Sequence, residues 1–483
     1  MKKQITLLKT AVTIFVIGLL MSGNLFAQKQ LWGVTMQGGL NDAGCLFKTD
    51  SIGGNPNVVY SFVQATGITP EGSLIQANDG YLYGMTQYGG VNSMGVLFKF
   101  NPVSYVYTKL IDFAGASNGA NPDGSLLQAS DGILYGMTEK GGTNDLGVLF
   151  KYNLQTSTFT KLVDFAGATN GSFPMGALIQ ASDGKLYGLT WKGGTADNGT
   201  LFQYTIATNT LVKKFDFTGT TSGDFPYGSL LQATDGKLYG MTYHGGNYDY
   251  GVLFNYNPAT STFLKLRDFD NDQMGNDPKG SLIQATNGFL YGMTFAGGNS
   301  SMGAIFKWDL SLAAYTKLFN FDGATNGSYP FGSFMQASDG NMYGMTSLGG
   351  INAKGVLFQF NPTTNTFTKK LDFTIANGST PEFTNLIEID ISHFGIREQS
   401  EKANFKVYPN PNNGQFTLQF SDASPAQLNS KIEIYNTLGE KMYSTTIKNQ
   451  VTSTIDISTL PKGIYFVKYA DKENNFSEKI VIE

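Results

Sequence analysis

An all-β chain, with a seven-bladed β-propeller of four-stranded blades followed by a small antiparallel β-sandwich, is the fold this sequence predicts. Three observations predict it. A stretch of the pattern Leu-Tyr-Gly-Met-Thr recurs with its glycine at Gly84, Gly136, Gly188, Gly240, Gly292 and Gly344, five steps of 52 residues, and a first copy, Leu31-Trp32-Gly33-Val34-Thr35, lies 51 residues earlier. A period of blade length is the mark of a repeat that closes on itself. Each unit also holds four short β-rich runs separated by turn residues. Finally, the two ends of the repeat region are complementary.

The unit beginning at Gly228 shows the four runs: a from Ser229 to Ala233, b from Leu238 to Thr242, c from Val252 to Tyr256 and d from Phe263 to Asp268. Thr-Asp-Gly between a and b is a tight hairpin signal. Asn-Pro-Ala-Thr between c and d is a turn in which proline presets φ. Gly245-Gly246 marks the b–c connection, and the doublet recurs seven times, from Gly38-Gly39 to Gly349-Gly350. Runs b and c are apolar on both faces, as in a sheet covered on both sides by other sheets. A lone blade could not bury that surface, so blades must stack.

The ends supply the closure. The first copy begins directly at run b, and one extra run a, Thr384 to Ile389, follows the sixth full unit. Pairing this strand with Leu31 to Thr35 completes a seventh, split blade and removes exposed sheet edges. The domains expected are a signal peptide over 1–27, the propeller over 31–391, a linker over 392–404 and a C-terminal domain over 405–483. The first of these is read from Lys2 and Lys3, the apolar run Ala11 to Met21, and Leu25-Phe26-Ala27 before a cut. No other long apolar segment occurs, so the mature chain is expected to carry no transmembrane segment.

Composition excludes several function classes. A net charge of −4 with scattered Lys and Arg offers no stripe for nucleic acid. One cysteine, Cys45, excludes an internal disulfide framework, and its alignment with Val96, Val148, Thr200 and Val252 suits a small buried residue. Only two histidines occur, His244 and His393, and no cluster with metal-ligand or triad character is visible. The Gly-Gly-x-x-x-x-Gly segments precede strands rather than helices, so they read as turns and not as phosphate loops.

Two loop features carry candidate chemistry. In an up-and-down blade the b–c and d–a connections share one face. These loops are long and variable, and Tyr88, Trp191, Tyr243 and Phe295 lie in b–c loops together with His244. Phe173, Phe225, Tyr227, Tyr329 and Phe331 flank the d–a prolines, where packing between blades is the competing reading. Flat amphipathic rings on a rigid scaffold suit a sugar or a protein partner. The other feature is Asp268-Phe269-Asp270-Asn271-Asp272, whose Asp268, Asp270 and Asp272 offer oxygen ligands of the kind calcium takes. Asp268 is also the repeat aspartate, so a solvated turn is the default and no cofactor is expected. The strand a glutamines, Gln76 to Gln336 with Glu388 in the seventh place, are expected to do structural duty.

The segment pattern Tyr-Gly-Met-Thr-x-x-Gly-Gly followed by Gly-Val-Leu-Phe is kelch-like, and more closely resembles the GloVer tandem repeats of exported bacterial proteins over residues 31 to about 390. After Ile391 the period stops. The tail holds Tyr408-Pro409-Asn410-Pro411 with Gly414, then Ile432 to Asn436 with Gly439, then Gly463 and Tyr465. It resembles the type A C-terminal sorting domain of the type IX secretion system of Bacteroidetes. That resemblance implies the secretion machinery as a partner and delivery to the outer cell surface or medium. The function expected is an exported, monomeric binding module for a glycan or surface protein. Its rivals are an enzyme acting on polysaccharide or peptide at the aromatic face, and a purely structural surface protein.

Overall fold

The computed structural model describes residues 29–270, 274–391, 405–420, 430–436, 441–447, 452–470 and 475–483. The signal peptide and linker expected from the sequence lie outside these residues. The chain divides into two compact units, Met1–Ser392 and His393–Glu483.

In the first unit, residues 29–391 form seven four-stranded antiparallel sheets. Blade 1 is the split one. Lys29–Thr35 pairs with Ile387–Asp390 on one side and with Cys45–Asp50 on the other, with Leu31 opposite Glu388. Blades 2 to 7 follow in sequence order. In blade 5 the strands are a Leu231–Gln232, b Leu238–Met241, c Val252–Asn257 and d Thr262–Asp268.

Strand a is shorter than the sequence suggested, two residues where five were expected. The reason lies at the axis. The Ser229 N–H donates to Ser281 Oγ of the next blade (2.7 Å) instead of joining its own ladder. The same bond links Ser73 to Ser125, Ala177 to Ser229 and Ser281 to Ser333, and the Asn385 N–H donates to Ser73 Oγ (2.8 Å) across the closure. The glycines just before this ring allow the chains to approach: a Cβ on Gly176 would lie 2.6 Å from the carbonyl oxygen of Gly228.

The repeat pattern has a packing cause. Strand b glycine sits opposite strand c phenylalanine, as Gly188 does Phe202, and the ring covers the space a side chain would fill. Strand b threonine is fully buried; Thr242 Oγ1 accepts from the Val252 N–H (3.0 Å) and donates to the His244 carbonyl (2.9 Å). In all seven blades the c–d pairing shifts register at the same step, just before that phenylalanine, a bulge that increases local twist. Hydrophobic clusters span neighbouring blades: Tyr187, Leu201 and Phe217 of one pack with Leu238, Phe254 and Tyr256 of the next. Cys45 is fully buried in such a cluster, and burial pushes its thiol up to about 11.

The glutamine ring staples blades together. Gln128 Oε1 accepts from the Asn78 N–H (2.9 Å), and the bond recurs at Ser130–Gln180, Ser182–Gln232, Thr234–Gln284 and Thr286–Gln336. In the closing blade Glu388 accepts from Ser338.

The second unit contains a three-stranded sheet, Phe405–Tyr408, Gln415–Phe420 and Thr452–Asp456, and a four-stranded one of Lys441–Ile447, Ser430–Asn436, Gly463–Ala470 and Asn475–Ile482. Both contribute to one core that includes Phe416, Ile434, Ile455 and Val467, the sandwich expected. Asn410 donates to the Lys479 carbonyl (2.7 Å) and accepts from the Val481 N–H (2.8 Å), and Tyr465 donates to the Pro461 carbonyl (2.7 Å). Gly414 donates to Asn412 Oδ1 (2.8 Å). Tyr408, Pro409, Pro411 and Gly463 are also among the described residues, and Gly439 is not.

Candidate functional site

The d–a and b–c connections lie together, as expected. A β-bridge joins them at every blade boundary: Ile68 to Tyr88, Ala120 to Lys140, Ser172 to Lys192, Asp224 to His244, Asn276 to Ala296, Ser328 to Leu348 and Gln37 to Ser379. The residue before each d–a proline is held in the left-handed region, including Phe173 (φ 54°), Phe225 (54°) and Tyr329 (56°). That conformation costs on the order of 1–3 kcal/mol for a residue with a side chain. It persists because both backbone groups are used. The Phe225 N–H donates to the Asn198 carbonyl (2.9 Å), and its carbonyl accepts from the Tyr243 N–H (3.1 Å). Each corner thus binds two consecutive b–c loops, and its side chain is fixed on the loop face.

Two sets of variable residues surround the mouth of the axis. The inner set precedes the axial glycines: Glu71, Asp123, Met175, Tyr227, Lys279 and Phe331, with Glu382 and Phe383 at the closing corner. The outer set follows strand b threonine and includes Gln87, Glu139, Trp191, Tyr243 and Phe295. They touch pairwise: Gln87 donates to Asp123 Oδ1 (2.6 Å), Trp191 lies 6.0 Å from Tyr227, and Phe295 lies 4.8 Å from Phe331 between ring centroids.

One sector of the mouth is aromatic. Trp191 contacts Phe173 (6.4 Å), Phe225 (5.7 Å) and Tyr227; Tyr227 stacks on Phe383 (5.4 Å, 6° between planes), and Phe383 meets Phe331 (4.7 Å). Tyr243 lies 5.7 Å from Tyr227 and 3.9 Å from the His244 ring. Of the five predicted ligand residues, Trp191, Tyr243, His244 and Phe295 therefore belong to one wall. The proline-flanking Phe173 and Phe225 join that wall rather than only filling gaps between blades. The Lys279 ammonium lies within reach of four rings, 3.9 Å from Phe295, 4.0 Å from Phe331, 4.8 Å from Tyr243 and 5.7 Å from Tyr227. Burial lowers its pKa to about 8, against the pull of Glu382 and Asp277.

The opposite sector is acidic, and the sequence reading did not find it. Asp123 is 1% exposed and Glu71 is buried. Burial, then neighbouring carboxylates, hold both acids well above the ordinary carboxyl range; burial likewise raises Glu139 and Glu382. Asp123 Oδ2 is buried without a hydrogen-bond partner. Tyr88, 42% exposed, stands on this side, where its electrostatic neighbours are Lys140, Asp123, Glu139 and Glu71. Between the sectors the axis holds a cavity of about 30 Å³, lined by Asp123, Met175, Tyr227, Lys279, Phe331 and Phe383 above the glycine and serine rings.

Two of the three aspartates considered as calcium ligands are among the described residues. Asp268 pairs with Lys265 (2.8 Å) and accepts from the Asn247 N–H and amide; Asp270 pairs with Arg267 (3.3 Å); Asp272 lies outside the described residues. Among the described residues no group of three or more His, Cys, Asp or Glu side chains is placed to hold a metal. His244 faces Asp277 Oδ1 at 3.8 Å, and burial raises Asp277 to about 6. We expect EGTA added in calcium buffer to leave the melting temperature unchanged; a fall of several degrees would establish a structural calcium ion.

A model of a Gloeobacter/Verrucomicrobia repeat matches residues 21–183, 167–336 and 271–454. No relative is found among curated proteins. Among solved structures, a candidate 6-phosphogluconolactonase from Bacteroides uniformis is similar at 12% identity and TM-score 0.52, over 75% of this chain and 100% of its own. A polysaccharide lyase, an ulvan lyase with bound saccharide, is similar at 11% identity and TM-score 0.42, over 87% of this chain and 95% of its own. The first shares the fold. No helix among the described residues is long and apolar enough to cross a membrane.

Proposed function

The chain belongs to the Gloeobacter/Verrucomicrobia repeat family, and from that premise we propose that it is an exported propeller that binds a glycan through the aromatic sector of its loop face. The observation that carries this reading is the continuous wall from Phe173 through Trp191, Tyr227 and Phe383 to Phe331 and Phe295. Phe173 and Phe225 are fixed by a strained, doubly hydrogen-bonded backbone, and the other rings are held by packing on one another, so the wall loses little freedom on binding, which favours stacking against a sugar face. The proposed address is the outer cell surface or the medium, reached by the N-terminal signal and a type IX sorting tail. The protein is taken to act as a monomer.

The test is binding of the full chain to a panel of polysaccharides, with reducing ends followed in the same wells. Saturable binding is expected. In a Trp191→Ala, Tyr243→Ala double variant, studied at a temperature where it remains folded, it should weaken at least tenfold, the loss of one or two stacking contacts. Equal affinity in that variant would remove the aromatic wall from the function. A second reading, an enzyme acting on polysaccharide, draws on the buried carboxyls Glu71 and Asp123, since perturbed acids gather at catalytic sites. New reducing ends that vanish in Asp123→Asn would favour it.

A further inference from the structure

The aromatic wall carries two cations as well as rings. Lysines of strand d are matched to acids: Lys109, Lys161, Lys213, Lys265 and Lys369 each pair with the aspartate three residues on, at 2.8 to 2.9 Å. In the b–c loop of blade 3, Lys140 lies 3.8 Å from Glu139. Lys192 holds the same place in blade 4, but the residue before it is Trp191 instead of an acid. Its ammonium lies over rings, 4.6 Å from Trp191 and 6.0 Å from Phe225. Lys279 sits at the other end of the wall, 3.9 Å from Phe295 and 4.0 Å from Phe331. Among the described residues neither ammonium has a hydrogen bond or an ion pair.

An ammonium carries three donors, and withdrawing it from water is costly unless something compensates it. Aromatic faces supply part of that compensation. At Lys279 the loss of water still outweighs it, since burial lowers the pKa. Glu382 and Asp277 act on Lys279 without pairing with it, and Asp277 faces His244 at 3.8 Å. Burial holds both acids above the ordinary carboxyl range, which limits the negative charge they set beside an incoming anion. Access separates the two charged residues that line the axial cavity. Asp123 has Oδ2 sealed from solvent and Oδ1 occupied by Gln87, whereas the Lys279 ammonium is not among the sealed groups. The polar head offered at the mouth is therefore cationic.

We propose that the aromatic wall selects an acidic glycan, one bearing carboxylate or sulfate groups, and that Lys279 and Lys192 receive those groups. This rests on the glycan reading given above. Sugar rings lie against the aromatic side chains, one acidic substituent meets Lys279 at the edge of the cavity, and another meets Lys192 beside Trp191. Each contact is a charge-assisted hydrogen bond. The lysine stems are flexible, so an ammonium can leave a ring face as a sugar covers it. A compact ammonium serves carboxylate and sulfate alike, and the two are told apart by experiment.

Calorimetric titration of the full chain tests this with oligosaccharides of glucose, galactose and mannose, each in neutral, uronate and sulfated form. For a backbone that binds, an acidic form should bind about tenfold more tightly than the neutral one, the worth of one hydrogen bond to a charged group. Which acidic form it is separates carboxylate from sulfate. A Lys279→Met, Lys192→Met double variant, which keeps the apolar stems, should bring acidic and neutral forms to within about twofold of each other. Lys140→Met removes the same charge on the acidic side of the mouth and should keep the preference. Equal affinity for all forms, a preference that survives the double variant, or one lost equally in Lys140→Met overturns the acidic-glycan assignment and leaves the glycan reading standing. Absence of binding by every form overturns both.

Discussion

Gly188→Val is expected to cost about 3 kcal/mol or more, the upper range for overpacking a close-packed interior. Even a single Cβ there would lie 2.5 Å from Phe202 Cζ and 2.9 Å from Leu178 Cδ2, both side chains buried. Neither ring nor strand has room to retreat, because Phe202 also packs against Phe165 of the preceding blade (5.5 Å). Phe202→Ala alone should cost roughly 3–5 kcal/mol through the cavity it leaves. The double variant should lose distinctly less than the sum, since the new methyls occupy the vacated space. Urea midpoints of the four proteins measure this. Strict additivity would mean that the glycine is there for a reason other than the ring.

The second large effect is on pH. Glu71 and Asp123 have folded-state pKa values well above those of an unfolded chain, from burial first and repulsion by neighbouring carboxylates second, Asp123 acting on Glu71 and Glu139 on Asp123. The native state therefore binds more protons than the unfolded state between about pH 4 and the raised values. Stability then falls as pH rises through that window. Asp277, raised to about 6, adds in the same direction. Lys279, lowered to about 8, acts oppositely, and only above pH 8. Wild-type urea midpoints should decline from pH 5 to pH 8. An Asp123→Asn, Glu71→Gln variant should be flatter, and more stable at pH 8 by on the order of 1–3 kcal/mol, the cost of leaving a buried polar group uncompensated. Parallel profiles would show that these acids titrate as ordinary surface groups.

The contrast between these two predictions explains what could be read from the chain alone. Gly188 and Phe202 are legible because their packing problem is solved identically in every blade, so the solution recurs every 52 residues. The split blade is legible for the same reason, from a run a that is missing at one end and surplus at the other. Asp123 is not legible. It occupies the place filled by Met175, Tyr227, Lys279 and Phe331 elsewhere, and a position that differs in each unit looks like noise against a strong period. Only the closed ring brings Glu71, Asp123, Glu139 and Glu382 together, from positions up to 311 residues apart. The signal that would have found them is the variation itself, at the residue before each axial glycine. Trp191, Tyr243 and Phe295 were found because aromatic residues in a loop attract notice one at a time.

The split blade has a mechanical side. Lys29 lies opposite Asp390, Gln30 opposite Ile389, Leu31 opposite Glu388 and Trp32 opposite Ile387. Because the pairing is antiparallel, the chain enters and leaves this sheet at adjacent points. A force that draws residues 29 and 390 apart meets those rungs one at a time, as a zipper does, instead of loading them together. In the other six blades each strand is tied to its neighbour by a connecting loop, so extension from the ends can begin only at this seam. The contact that completes the circle is thus also the place where tension would first open it.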